Sequence, residues 1–158
     1  RNRLDFSGAL AGVVRTGGRH GNGGLGMTMK EKRILIVDDD RDFSEAVACF
    51  LEANRFTVFK AYGGKEGVKL AKLERPDLIL MDIMMTERTE GFFTIQEMRR
   101  DAELKNVPIF VISSFCTHLP DFEIPESGGW LAHDMFFSKP VDLVQLLEKI
   151  RQRLGKAA

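Results

Sequence analysis

The sequence predicts an α/β fold: a doubly wound, five-stranded parallel sheet in the order 2-1-3-4-5, with helices on both faces. Three observations predict it. Short runs of branched and other apolar residues recur from Arg33 onward, and each is continuous rather than alternating, as in strands covered on both sides. Segments with apolar residues at helical spacing separate most of these runs. Right-handed crossovers then leave few topologies, of which 2-1-3-4-5 is the natural doubly wound one for five units.

Taken in order, Arg33-Ile-Leu-Ile-Val37 is the first strand, and Asp38-Asp39-Asp40 follows it. Phe43, Val47, Phe50 and Leu51 then recur on one face of a helix over 41–53. Phe56-Thr-Val-Phe-Lys60 is the second strand. A helix over 64–74 begins after Gly63 and ends before Pro76, because the residue preceding a proline is pushed out of the helical region. Asp77-Leu-Ile-Leu-Met81 is the third strand and runs into Asp82. A helix over 91–101 turns Phe92, Ile95 and Met98 inward, and Pro108-Ile-Phe-Val-Ile112, the fourth strand, leads into Ser113 and Ser114. Met135-Phe-Phe137 is a short fifth strand. From Val141 to about Leu154 a last helix carries Leu143, Leu147, Ile150 and Leu154 on one face. Between Thr117 and Asp134, Pro120, Pro125 and Gly128-Gly129 interrupt any long helix; a short or broken helix is expected there, tucked back by Trp130 and Leu131.

Residues 1–30 read differently. They hold eight of the 15 glycines, five Lys or Arg and one acid, a composition that loses backbone entropy on ordering and offers little apolar burial in return. The expected organisation is a flexible basic leader over 1–30, one domain over 31–155 and a short tail over 156–158. The chain is 44% hydrophobic and 29% charged, ordinary values for a soluble globular protein with a sizeable core, and its formal net charge of zero gives no overall pull toward nucleic acid or a membrane surface. No apolar run approaches the roughly 20 residues that span a bilayer. Cys49 and Cys116 form no CxxC pair, so a reduced, cytoplasmic setting is expected, with Cys49 buried as a small hydrophobe on the first helix. His118 and His133 lack metal-ligand spacing and are expected at the surface. Met81, Met84 and Met85 are expected to be packing residues.

In such a sheet ligands bind beyond the carboxyl ends of the central strands. Strand order therefore brings Asp38, Asp39 and Asp40 to the same cleft as Asp82. So many carboxylates repel one another and carry raised pKa values unless a cation joins them; magnesium, which takes carboxylates, waters and phosphate oxygens, meets that need. Asp40 is also placed to cap the following helix. Lys139 follows the fifth strand and offers an ammonium, with Pro140 making a cis peptide plausible. Ser113 offers a hydroxyl. A nucleophilic carboxylate, a metal, an ammonium and a hydroxyl are the parts that phosphoryl transfer needs.

From about Lys32 to Leu154 the sequence resembles the response-regulator receiver family. The resemblance rests on Ile-Leu-Ile-Val-Asp38-Asp39-Asp40, on Asp77-Leu-Ile-Leu-Met-Asp82-Ile-Met-Met, on Ser113 five residues after Pro108, and on Phe137-Ser-Lys139-Pro140. Each fragment alone is weak, whereas four in order at strand ends are specific. The resemblance implies that Asp82 is phosphorylated from a phosphohistidine, so that a sensor histidine kinase or histidine phosphotransfer protein is the upstream partner. It implies Mg2+ held by Asp39, by Asp38 directly or through water, by Asp82 and by the backbone carbonyl of Met84. Lys139 would bind a phosphoryl oxygen, Ser113 would move toward it, and Phe136 stands at the aromatic switch position. Because the chain ends four residues after Leu154, the expected output is a downstream protein effector rather than direct nucleic-acid binding or membrane insertion, with a homodimer left open.

The sequence departs from the family after Asp82. Thr86 stands where the family usually has proline, and Gly91 arrives one residue late, so the loop over 86–90 is longer. In this family, Met84 and Phe115 line the approach of a hydrolytic water. Both are apolar and cannot orient that water, which predicts slow loss of the phosphoryl group. The resemblance implies a phosphoacceptor signalling domain with at most slow autodephosphorylation rather than an enzyme. Three other readings share the fold. A scaffold working without phosphate is supported by the altered loop alone. A phosphatase related to haloacid dehalogenases would need an acid at position 84, where methionine stands. A flavin carrier would need a phosphate-binding loop where the acidic triplet lies.

Overall fold

The computed structural model describes residues 30–87, 90–114 and 133–155. Its elements are β1 (Arg33–Val37), α1 (Arg41–Ala53), β2 (Thr57–Ala61), α2 (Gly64–Glu74), β3 (Leu78–Met81), α3 (Glu90–Arg100), β4 (Ile109–Ser113), β5 (Met135–Ser138) and α4 (Leu143–Leu154). The five strands form one sheet in the order β2-β1-β3-β4-β5, every neighbouring pair parallel. The predicted topology is the observed one. Boundaries differ by a residue or two in most elements: β2 starts at Thr57 rather than Phe56, and β4 runs on to Ser113.

Strand side chains alternate between two cores, because successive Cβ atoms leave opposite faces of a sheet. Leu35, Val37, Ile79, Met81, Ile109 and Val111 pack with Val68 and Ala71 of α2 and Ile95 and Met98 of α3. Ile34, Ile36, Leu78, Leu80, Phe110 and Ile112 pack with Val47 and Leu51 of α1 and Leu147 and Ile150 of α4. Burying each such side chain is worth about 1.5–3 kcal/mol, so the central strands β1, β3 and β4 anchor the domain. β2, at the edge, is only half-buried.

Local chemistry sets the helix ends. Asp40 caps α1, its side chain accepting the Phe43 N–H at 3.0 Å. Asp142 caps α4 through the N–H groups of Val144 and Gln145. At the end of α2 Arg75 takes a left-handed backbone, φ 47°, just before Pro76. The Lys139–Pro140 peptide is cis.

Two expectations fail. Cys49 is exposed, not buried: Ala48 meets the core, and the next helical residue is turned about 100° away from it. His133 is buried, with 7% exposure, because the backbone entering β5 seats its ring edge-on against Phe136, centroids 6.5 Å apart. Met81 and Met85 are buried and Met84 packs against the same core, as expected. The expectations for the leader (1–29), for the segment containing Phe115, Cys116, His118, Trp130 and Leu131, for residues 88–89, and for the tail (156–158) lie outside the described residues.

Candidate functional site

The register of the sheet assembles the site. Val37 pairs with Met81 across β1 and β3, so Asp38 and Asp82 leave adjacent strands at the same level, and the Asp82 N–H bonds the Val37 carbonyl at 2.9 Å. Ser113 pairs with Ser138 across β4 and β5, and the Lys139 N–H bonds the Ser113 carbonyl at 3.0 Å. Four strand ends therefore deliver Asp38, Asp82, Ser113 and Lys139 to one edge.

Lys139 bridges two acids. Its Nζ lies 2.8 Å from Asp38 Oδ2 and 3.2 Å from Asp82 Oδ2, and it sits over the Phe43 ring, 4.2 Å from the centroid. The second oxygen of each acid is held by backbone. Met84 donates its N–H to Asp82 Oδ1 at 2.8 Å, and Asp40 donates its own to Asp38 Oδ1 at 2.9 Å. Asp39, less buried, accepts the Thr86 hydroxyl on Oδ2 at 2.9 Å. Ser113 is fully buried and contributes a hydrogen bond that favours ionised Asp82. Phe136 is half-buried on β5, opposite Val111.

Electrostatics here are strained by burial. Asp38 and Asp82 are 2% and 5% exposed. Burial pushes the Asp38 carboxyl up to about 6, the nearby Asp82 charge adding to it, against opposing hydrogen bonds from Lys139 and Asp40. Asp82 is also raised by burial, opposed by the Met84 N–H, Lys139 and Ser113. Burial works against the Lys139 charge, yet the two carboxylates together hold its pKa above the usual lysine value. One ammonium is shared by two acids, with a third, Asp39, beside them.

The donor set fits a hard divalent ion. Asp38, Asp39 and Asp82 each offer a carboxylate oxygen, and these lie within 4.8 Å of one another. All-oxygen donors with excess negative charge match the preference of magnesium or calcium. They do not suit a soft ion that seeks thiolate or imidazole.

The model of the response regulator receiver domain matches residues 34–151. The chain belongs to the response-regulator receiver family. This receiver is similar to the polar-differentiation response regulator DivK of Brucella anthropi, 29% identical over 126 residues, covering 80% of this chain and 98% of DivK. It is 32% identical over 124 residues to the DNA-binding dual master transcriptional regulator RpaA of Synechocystis, covering 78% of this chain. It spans about half of that protein's length, 49%. Among solved structures, a CheY-like receiver domain protein from Methanospirillum hungatei superposes with a TM-score of 0.66 at 26% identity, covering 78% of this chain and 94% of that one. The Francisella response regulator 1452 receiver domain gives 0.68 at 22% identity, covering 81% and 100%, and supports the fold alone. Receiver domains are signalling modules of two-component systems. Among the described residues of this one, no helix is long and apolar enough to cross a membrane.

Asp38, Asp39, Asp82, Met84, Ser113 and Lys139 gather at the site's edge, with Phe136 on the strand leading to Lys139. The Asp40 side chain, expected in the same cleft, is exposed and caps α1 instead. Sequence reasoning missed three supporting residues. Phe43 was read only as core, although its place in the first turn after the acidic triplet puts its ring under Lys139. Ser44, fully buried, donates its hydroxyl to the Asp38 carbonyl at 3.4 Å. Thr86 was noted only as a departure from the family pattern, and nothing local in the sequence pairs it with Asp39.

Proposed function

We propose that this receiver signals by accepting a phosphoryl group on Asp82 from the phosphohistidine of a sensor histidine kinase or histidine phosphotransfer protein. The supporting observation is the treatment of Asp82. It is a buried carboxylate with one oxygen fixed by the Met84 N–H and the other facing the Lys139 ammonium. An Asp82 oxygen attacks phosphorus as the phosphorus–nitrogen bond breaks and the imidazole leaves. Asp38, Asp39, Asp82 and the Met84 carbonyl would hold Mg2+, which when bound offsets the charge of the phosphoryl oxygens. Lys139, already poised between the acids, would transfer its contact to a phosphoryl oxygen. The Ser113 hydroxyl supplies a further donor, and Phe136, on the strand leading to Lys139, is the side chain whose rotamer would report the change.

The output on this reading is phosphorylation-dependent contact with a downstream protein. The domain acts as a phosphoacceptor whose only turnover is slow autodephosphorylation. The test is incubation with a small-molecule acyl phosphate and Mg2+, read by intact mass. Wild type should gain one phosphoryl group, and Asp82→Asn should gain none. A folded wild-type chain that gains none under donor excess would overturn the proposal in favour of a phosphate-independent scaffold.

A further inference from the structure

We infer that Thr86 is a positioning residue for the cation site, acting through Asp39; the inference rests on reading Asp38, Asp39 and Asp82 as that site. Of the three acids, two are nearly buried and each is held at both oxygens. Asp38 takes the Asp40 N–H and Lys139, and Asp82 takes the Met84 N–H and Lys139. Asp39 is more exposed, so its side chain has more rotamer freedom to lose when it joins a cation. The contact that restrains it is the Thr86 hydroxyl, donated to Oδ2 at 2.9 Å across 47 residues of sequence.

The position of Thr86 is itself constrained. Met85 beside it is buried against the core. Further along the loop the Glu90 carboxylate accepts the Gly64 N–H at 2.6 Å, tying the start of α3 to α2. Gly91 then seats against the backbone after β3, where a Cβ would lie 2.3 Å from Ile83 Cα and 2.4 Å from the Asp82 carbonyl oxygen. The loop is thus fixed near both ends. A β-branched residue within it has few side-chain rotamers.

A single accepted hydroxyl does not disable a ligand. An ionised carboxylate has about four lone-pair sites, so Asp39 can bind a cation while Thr86 orients it. Partners that orient metal ligands in this way are typically worth about 10–100-fold in affinity.

The test is a titration of the full chain with Mg2+ alone, followed by amide chemical shifts, on wild type, Thr86→Val and Thr86→Ser. Valine keeps the branching and removes the hydroxyl, while serine keeps the hydroxyl. Thermal melting in chelator checks that each variant is folded. The expected result is a dissociation constant raised about tenfold by Thr86→Val and held close to wild type by Thr86→Ser. Equal Mg2+ affinity of Thr86→Val and wild type overturns the role of Thr86 and leaves the site standing. Equal weakening by both variants overturns it too, because the hydroxyl is then not the cause. A folded wild type that takes up no Mg2+ overturns this inference and the site together.

Discussion

Ionisation of Asp38 should cost the metal-free fold stability, and the structure sets the sign and size. The Asp38 carboxyl titrates at about 6 instead of 3.8, because burial disfavours its charge and Asp82 repels it. Between those two values the folded chain keeps a proton that the unfolded chain has released. Stability from this group is therefore fully present below 3.8 and is lost as pH rises through about 6. The gap corresponds to roughly 3 kcal/mol at most. Asp82, raised in the same direction, reinforces the sign. The assay is urea unfolding in chelator at intervals from about pH 4 to about pH 8, on wild type and Asp38→Asn. Asparagine disturbs the Lys139 contact by a constant amount, so the informative quantity is the change in the stability difference with pH. Wild type should lose about 2–3 kcal/mol relative to the variant across the window. Mg2+ at the alkaline end should restore much of it, as binding to the folded state alone requires. A difference that stays flat, or that moves in favour of wild type as pH rises, would refute the electrostatic account of the cluster.

Three further outcomes follow from the same geometry. Lys139→Met keeps the aliphatic stem but leaves Asp38 and Asp82 facing each other without their bridge; unfolding at neutral pH without metal should show a loss of about 3 kcal/mol, shrinking as the acids protonate. Gly91→Ala forces a Cβ into the Ile83 and Asp82 backbone, so denaturant unfolding should show a loss of about 1–3 kcal/mol, with weakened phosphoryl incorporation because Asp82 itself must shift. Asp40→Ala removes the side-chain cap of α1 and should cost about 1 kcal/mol in thermal or urea unfolding while leaving Mg2+ affinity near wild type, which separates the third acid of the triplet from the site.

Most of the fold was legible because each buried strand carries its own signal. Ile34–Val37, Leu78–Met81 and Ile109–Ile112 are continuous apolar runs, and the turn residues around them bound the helices to within two residues. The readings that failed concern orientation. Cys49 sits between apolar neighbours in sequence but points out of α1. His133 looked like a surface residue until the path into β5 packed it on Phe136. Burial of one side chain depends on helix phase and on what lies opposite, and neither is written in the neighbouring residues.

The sequence by itself determined which chemical groups the protein brings to its carboxyl edge. Acids follow the first and third strands, a serine closes the fourth and a lysine follows the fifth, and strand order alone makes them meet. Only the tertiary structure decided how they are held: Lys139 shared between Asp38 and Asp82, Phe43 beneath its amine, the Met84 N–H on Asp82, and Thr86 reaching Asp39. The physical reason is range. Strand and helix signals are local patterns of hydrophobicity, whereas a hydrogen bond between residues 47 or 101 positions apart exists only once the sheet has set its register to within a fraction of a residue.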